Sequence, residues 1–193
     1  MGERIEILGA EGPVRAYASP DAALYGLPAA EPALPPALVG VVVLHEWWGL
    51  YSGKSNVSSI CDRLAAEGLL AIAPDLWGGR SAETEEQAER LMRDLDDRDP
   101  LPPIAAAVAE ARRRGARKVA TLGFCMGGAL SLRAGRELRD GYIDPARAST
   151  LQGVELHFYD AGHAFMNDRR PEAYDAPSAA LAWKRTLDFL RPR

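Results

Sequence analysis

Five consecutive residues, Gly123-Phe124-Cys125-Met126-Gly127, form the segment of the sequence with the clearest chemical meaning. They lie between a predicted strand and a predicted helix. The sharp turn that presents the nucleophile in G-x-S-x-G enzymes occupies the same position. Cysteine here takes the place of serine. Side chains larger than hydrogen would clash on both sides of such a turn, and the positive end of the following helix stabilises a negatively charged sulfur. The segment predicts that Cys125 is a nucleophile and that the Met126 amide faces a developing oxyanion.

His163 is the predicted general base. It follows a turn, residues 159–162, after the last predicted strand, and the order of nucleophile and then histidine is the one found in G-x-S-x-G enzymes. A neutral imidazole takes and returns a proton near neutral pH. His157 lies within the predicted strand and is interpreted as structural. His45 ends a buried strand and is interpreted as a brace for the loop that follows it.

That loop, His45-Glu46-Trp47-Trp48-Gly49, leaves the carboxyl end of the first buried strand. It is not a zinc-binding HExxH motif, because glycine stands where the second histidine is required. The second oxyanion amide of G-x-S-x-G enzymes comes from this region, so the Trp47 amide is the candidate. Glu46 either faces the cysteine or forms a surface ion pair, and its position alone favours neither.

Other classes of site have weaker support. Cys61 and Cys125 lie 64 residues apart and match no metal-binding spacing, and Cys61 falls on the apolar face of a predicted helix, as core cysteines do. The glycines at 123–128 lack the G-x-G-x-x-G spacing of dinucleotide sites and the Lys-Ser/Thr pair of phosphate-binding loops. We therefore expect no metal and no cofactor.

Composition limits the class of protein. The chain has 193 residues, with 27 acidic and 23 basic residues and a net charge of −4, which argues against nucleic-acid binding. No apolar run approaches the ~20 residues of a membrane-spanning helix, and the N-terminus lacks the apolar core of a signal peptide. The sequence thus predicts a single cytoplasmic domain over residues 1–193.

Strands and helices that position these residues alternate along most of the chain. Residues 5–8 and 14–18 predict a hairpin, and further strands are predicted over residues 39–44, 69–73, 119–122 and 154–159. Helices are predicted over residues 55–67, 82–95, 104–114, 127–139 and 178–190. This alternation predicts an α/β fold with a mostly parallel sheet flanked by helices.

Five motifs in order resemble the dienelactone hydrolase family (carboxymethylenebutenolidase-like), a cysteine-using branch of the α/β-hydrolases. They are HEWWGL at 45–50, APDLWG at 73–78, GFCMGG at 123–128, AGHAF at 161–165 and AWKRTL at 182–187. The resemblance implies a cofactor-free hydrolase that cleaves an ester or lactone, and we expect a small substrate that bears a carboxylate. Cys125 would attack the carbonyl, His163 would serve as base, and the amides of Trp47 and Met126 would hold the oxyanion.

The resemblance also implies roles for acidic residues. Glu46 would shuttle between partners and help generate the thiolate when substrate binds. Asp140 would orient His163, because residues 140–145 fit a pattern resembling Asp-x-aromatic-aliphatic-x-Pro, with Asp144 and Asp160 as competitors. Arg80 resembles the position that binds the substrate carboxylate in dienelactone-specific members. A second arginine expected after His163 has no clean counterpart: Asn167 is nearest, and Arg169 and Arg170 come later.

One departure from the family is large. Only 38 residues separate Cys125 from His163, whereas a βαβ unit by itself needs about 30 in addition to the nucleophile helix. About two strands are expected to be absent, which would move the last strand by ~10 Å at a spacing of ~4.8 Å per strand. Two hypotheses follow: a small cysteine hydrolase, monomeric or weakly oligomeric, or a catalytically impaired member with an internal deletion that binds a ligand or partner.

Overall fold

The structure is a computed structural model, and it describes residues 1–20, 39–96, 99–137, 155 and 157–190. Strands in this part are β1 (Glu3–Gly9), β2 (Gly12–Ala18), β3 (Val39–Leu44), β4 (Leu70–Pro74) and β5 (Lys118–Gly123). Helices are α1 (Val57–Ala66), α2 (Glu85–Asp96), α3 (Leu101–Arg113), α4 (Met126–Glu137) and α5 (Ala176–Leu190). None of the helices in the described ranges is long and apolar enough to cross a membrane.

These strands form one sheet in the order β1-β2-β4-β3-β5. The hairpin β1–β2 is antiparallel, β2 pairs antiparallel with β4, and β3 pairs in parallel with both β4 and β5. Four strands therefore point one way and β2 points the other, which confirms the predicted α/β fold with a mostly parallel sheet. Leu44 lies opposite Gly123 in the register, so the segments that follow β3 and β5 leave the sheet side by side.

The central strand β3 is buried over its whole length. Val42 and Leu44 pack in a core with residues of α3, whereas Val41 and Val43 pack on the other face with residues of α1 and α5. A parallel strand covered on both faces reads as a continuous apolar run, which is why this segment was recognisable in the sequence.

The prediction of a strand over residues 154–159 is wrong for the residues of this segment that the structure describes. Residues 155 and 157–159 are not in a strand, and Phe158 is 89% exposed. A cavity of about 740 Å³ separates His157 and Tyr159 from Thr121 and Leu122 of β5. The alternation of apolar residues suggested a strand, but a strand also needs a neighbour for its backbone groups, and this segment does not pair with β5.

Helix α3 carries a carboxylate network that gives a pH-dependent stability. Glu110 accepts hydrogen bonds from Arg113 Nη2 at 2.6 Å and Arg114 Nε at 2.7 Å. The bond from Arg113 is the main cause that lowers the pKa of Glu110 from 4.5 to about 2. A carboxyl whose pKa is lower in the folded state stabilises the fold above its unfolded pKa, and this contribution disappears as the pH falls towards the folded pKa.

We predict that Glu110→Gln lowers the free energy of unfolding at pH 7 by about 1 kcal/mol. The difference between variant and parent should shrink as the pH falls from about 4.5 to about 2. Urea unfolding at a series of pH values measures both. Glu89→Gln, at an exposed position of α2, is the control and should track the parent. A Glu110→Gln deficit that is constant across this pH range would contradict the prediction.

Candidate active site

Cys125 lies on the two-residue connection between β5 and α4, with its side chain exposed. Its φ angle is +55°, an unusual conformation for a residue with a side chain. A Cβ added to Gly123 would lie 1.9 Å from the carbonyl oxygen of Gly127, and one added to Gly127 would lie 2.2 Å from that of Leu44. Both glycines are therefore required for the turn to close against the end of β3.

Two backbone N–H groups near the turn have no hydrogen-bond acceptor among the described residues. One belongs to Met126, the first residue of α4, and the other to Trp47, in the loop after β3. The first amides of a helix have no acceptor within the helix, so the Met126 N–H is available to an external anion. Trp47 and Cys125 line the same cavity, of about 410 Å³.

His163 shares two cavities with Cys125. Both residues line the 410 Å³ cavity and a second one of about 490 Å³, and Glu46 lines both as well. His163 is exposed on a loop that is closed by the hydrogen bond from Asn167 N to Ala164 O, at 2.9 Å. Between Cys125 Sγ and the His163 ring, both in the described part of the chain, no hydrogen bond is formed.

His45 braces the loop after β3, as the sequence indicated. It is fully buried, its Nδ1 lies 2.7 Å from Glu46 O, and its Nε2 accepts a hydrogen bond from Leu76 N at 3.1 Å. Because an N–H group must donate to Nε2, the proton of the neutral ring lies on Nδ1. Burial lowers the pKa of His45. His45 therefore links the segment after β3 to the segment after β4 and is neutral near neutral pH.

Glu46 is held inside the site and not in a surface ion pair. Its side chain is 5% exposed and accepts hydrogen bonds from Ser55 Oγ at 2.9 Å and from Asn167 Nδ2 at 3.4 Å. Burial raises the pKa of Glu46, and the hydrogen bonds and the charge of Arg170 oppose that rise. A buried carboxylate with a raised pKa beside a thiol and an imidazole is a suitable proton acceptor.

The remaining residues singled out in the sequence have different settings. Asp140 and its competitor Asp144 fall outside the described residues. Asp160 is exposed at the bend before His163. Arg80 donates to Asp94 and lines a different cavity, which Cys125 does not reach. Cys61 is buried in α1, as expected.

His157 differs from its predicted setting. It was interpreted as a structural residue within a strand, but its segment is not a strand, and its Nε2 lies 2.9 Å from Glu155 Oε1. It lines the 490 Å³ cavity together with Cys125 and His163. His157 is therefore a second imidazole at the border of the site.

Arg170 is a basic residue of the site to which the sequence assigned no role. It lines the 410 Å³ cavity with Cys125 and His163. Its guanidinium lies 5.6 Å from the ring centre of Trp48, and Lys54 Nζ lies 4.3 Å from the same ring. The sequence offered no signal for this placement beyond the arginine expected soon after His163, because loop residues follow no periodic pattern.

Within the described ranges, no group of three or more His, Cys, Asp and Glu side chains is arranged to hold a metal ion. The chemical groups that line the cavities include the Cys125 thiol, the His163 imidazole and the buried Glu46 carboxylate, and the Met126 N–H follows Cys125 directly in the chain. This combination is suited to nucleophilic attack on a carbonyl carbon.

Comparison with known proteins decides the family. The model of the dienelactone hydrolase family matches residues 27–148 and 146–193. The chain belongs to the dienelactone hydrolase family. It is 30% identical to "Protein usf" of Aquifex pyrophilus, over 79% of this chain and 87% of that protein. It is 26% identical to a carboxymethylenebutenolidase of Pseudomonas putida, over 89% and 93% of the two chains.

A solved structure named m3DLH shares the fold of this dienelactone hydrolase family member. The TM-score is 0.71, the identity is 19%, and the match covers 97% of this chain and 96% of the other. Membership of the family places the chain among hydrolases that act on esters and lactones.

The alignment with the Aquifex pyrophilus protein also shows a difference in length. It extends over 201 positions but takes in 79% of the 193 residues, about 152. About 49 aligned positions therefore have no residue from this family member.

Proposed function

We propose that the chain hydrolyses a small ester or lactone through a thioester on Cys125, with His163 as general base. The observation that carries the proposal is that Cys125, His163 and Glu46 line one pair of cavities, and that Trp47 lines one of the two. The Met126 N–H follows Cys125 directly in the chain. Cys125 is exposed on a tight turn at the carboxyl end of the sheet, where a substrate carbonyl has access to its sulfur.

The reaction has two halves. In the first, the Cys125 thiol gives its proton to the base and its sulfur attacks the carbonyl carbon, while the two amides hold the oxyanion. When the tetrahedral species collapses, the C–O bond to the alcohol breaks and His163 returns the proton to the leaving oxygen. In the second half, His163 takes a proton from water and hydroxide attacks the thioester carbon. The C–S bond then breaks, the acid leaves, and His163 returns the proton to the Cys125 sulfur.

Glu46 supports proton transfer from the thiol. It is buried beside Cys125 and His163, and burial raises its pKa, so it has a greater affinity for a proton than an exposed glutamate. In the proposed mechanism it helps generate the thiolate when substrate binds by relaying the proton of Cys125 to His163, which then returns it to the leaving oxygen. Asp140 remains the proposed partner of the second ring nitrogen of His163.

Ester hydrolysis by the purified chain, with an activated aryl ester and a small lactone as substrates, tests the proposal. His163→Ala should lower kcat/KM by about 10²–10⁴-fold, as loss of a general base does. His157→Ala is the matched control, since His157 lines the same 490 Å³ cavity, and it should retain activity within about threefold. Equal losses in the two variants, or no hydrolysis by the parent, would support the ligand-binding alternative.

The proposed substrate carries a carboxylate, and we place its binding at Arg170 and not at Arg80. Arg170 lines the cavity of Cys125, whereas Arg80 lines another. An arginine–carboxylate pair in a partly desolvated site contributes enough binding energy to change KM by about tenfold.

Arg170→Ala should therefore raise KM about tenfold for an ester that bears a free carboxylate, and by less for its uncharged methyl ester. Arg80→Ala, matched in charge, should change neither value by more than about twofold. Steady-state kinetics on the two esters provides the comparison. A larger effect of Arg80→Ala on the charged ester would show that the carboxylate binds elsewhere.

A further inference from the structure

We propose that Asn167 is a positioning residue that clamps the His163 loop to Glu46 and to the segment after Glu46. The inference rests on the proposed function for its kinetic consequences, but the clamp itself is independent of it. Asn167 lies four residues after His163, in the loop, and its side chain crosses to residues that follow β3. In the sequence it stood merely where an arginine was expected.

The side chain of Asn167 uses both ends of its amide. Nδ2 donates to Lys54 O at 2.8 Å and to Glu46 Oε1 at 3.4 Å, and Oδ1 accepts from Arg169 N at 3.0 Å. The residue is 5% exposed, so these partners replace water almost completely. Removing the amide of Asn167 would leave its buried partners without a hydrogen bond, and an unpaired buried polar group is costly. Substitution of Asn167 should therefore disturb the local structure.

The His163 loop needs such a contact because the sheet does not hold it. The described residues before the loop are not in a strand, and a cavity of about 740 Å³ separates them from β5. Lateral hydrogen bonds tie the loop instead to residues 54–56. Besides those of Asn167, Asn56 Nδ2 donates to Met166 O at 3.0 Å.

The side chain of Asn167 reaches Glu46, whereas Asn56 reaches Glu46 only through its backbone N–H, which substitution of its side chain leaves in place. An amide N–H directed at Glu46 Oε1 holds the carboxylate in place beside Cys125. Asn56 anchors the same loop by a backbone carbonyl without a side-chain bond to Glu46. Loss of Asn56 should therefore loosen the loop alone, whereas loss of Asn167 should loosen the loop and also change the proton affinity of Glu46.

Three variants and two measurements test the clamp. Asn167→Asp keeps the shape but places a second carboxylate against Glu46, Asn167→Ala removes the contact, and Asn56→Ala removes only the loop anchor. Asp168→Asn, at the exposed neighbouring position, is the control. Hydrogen exchange of amides 161–167 reports the loop without any substrate, and the pH dependence of kcat/KM reports the free enzyme's titrating groups.

Asn167→Ala should speed hydrogen exchange of the loop amides at least tenfold. It should also lower kcat about tenfold and leave KM within about twofold of the parent, because a misplaced catalytic group slows the reaction more than it weakens substrate binding. Asn167→Asp should move the acid limb of the pH profile up by about one pH unit, since a like charge raises the proton affinity of a carboxylate. Asn56→Ala should speed exchange but leave the acid limb in place, and Asp168→Asn should match the parent.

Parent-like exchange in folded Asn167→Ala would overturn the clamp, whatever the activity. An unmoved acid limb in an active Asn167→Asp would overturn the link to Glu46. If the parent hydrolyses nothing, the proposed function fails, and faster loop exchange in Asn167→Ala still supports the clamp. The two failures are thus distinguishable.

Discussion

Replacing Cys125 with alanine is expected to abolish hydrolysis, whereas replacing Cys61 with alanine is expected to preserve it. Cys125 is exposed on the turn and lines both cavities of the site, while Cys61 is fully buried in α1. Removing the group that forms the covalent bond should lower kcat by about four orders of magnitude or more. Initial rates with an activated aryl ester, corrected for the rate without protein, measure the loss.

Cys61→Ala provides the matched control, because it also removes one thiol. Burial raises the pKa of Cys61 far above that of an ordinary thiol, so that it does not form a thiolate under assay conditions. The substitution should cost about 1 kcal/mol of stability by leaving a small void, without changing kcat. Hydrolysis at the parent rate by Cys125→Ala would rule out the assigned nucleophile.

Gly127→Ala is expected to have the largest effect on folding. An added Cβ would lie 2.2 Å from Leu44 O and 2.7 Å from His45 O, and both atoms belong to the backbone. Neither can move without separating the end of β3 from the turn that carries Cys125. We expect a loss of at least about 3 kcal/mol in the free energy of unfolding, or failure to fold.

Gly135→Ala on the same helix is the control for this substitution. Nothing lies within 4 Å of the added Cβ there, so the change should act only through helix propensity. It should raise stability by about 0.5–1 kcal/mol. Urea unfolding at neutral pH compares the two variants. Similar free energies of unfolding for the two variants would show that the end of β3 does not lie as close to the turn as it does in the structure.

The sequence predicted those parts of the site that local sterics and burial determine. The glycines around Cys125 are required by contacts within the turn and with the adjacent strand, and β3 is an apolar run because both its faces are covered. The brace by His45 followed from its place at the end of that strand.

Contacts between distant parts of the chain could not be predicted in the same way. Asn167 meets Glu46 across 121 residues, and Arg170 reaches Trp48 from a loop without periodicity. The prediction of a strand over residues 154–159 was wrong for a related reason. The alternation of apolar and polar residues is a property of one segment, whereas a strand forms only where a neighbouring strand can pair with it.

Trapping an acyl group on the protein tests whether Cys125 forms the covalent intermediate. The parent protein is mixed with excess p-nitrophenyl acetate, quenched in acid within milliseconds to seconds, and digested with trypsin. Cys125 and Cys61 fall in separate peptides, residues 119–133 and 55–63. We expect a burst of about one nitrophenolate per protein molecule and one acetyl group on the peptide of residues 119–133. Turnover without any acyl-protein, or an acetyl group confined to another peptide, would contradict it.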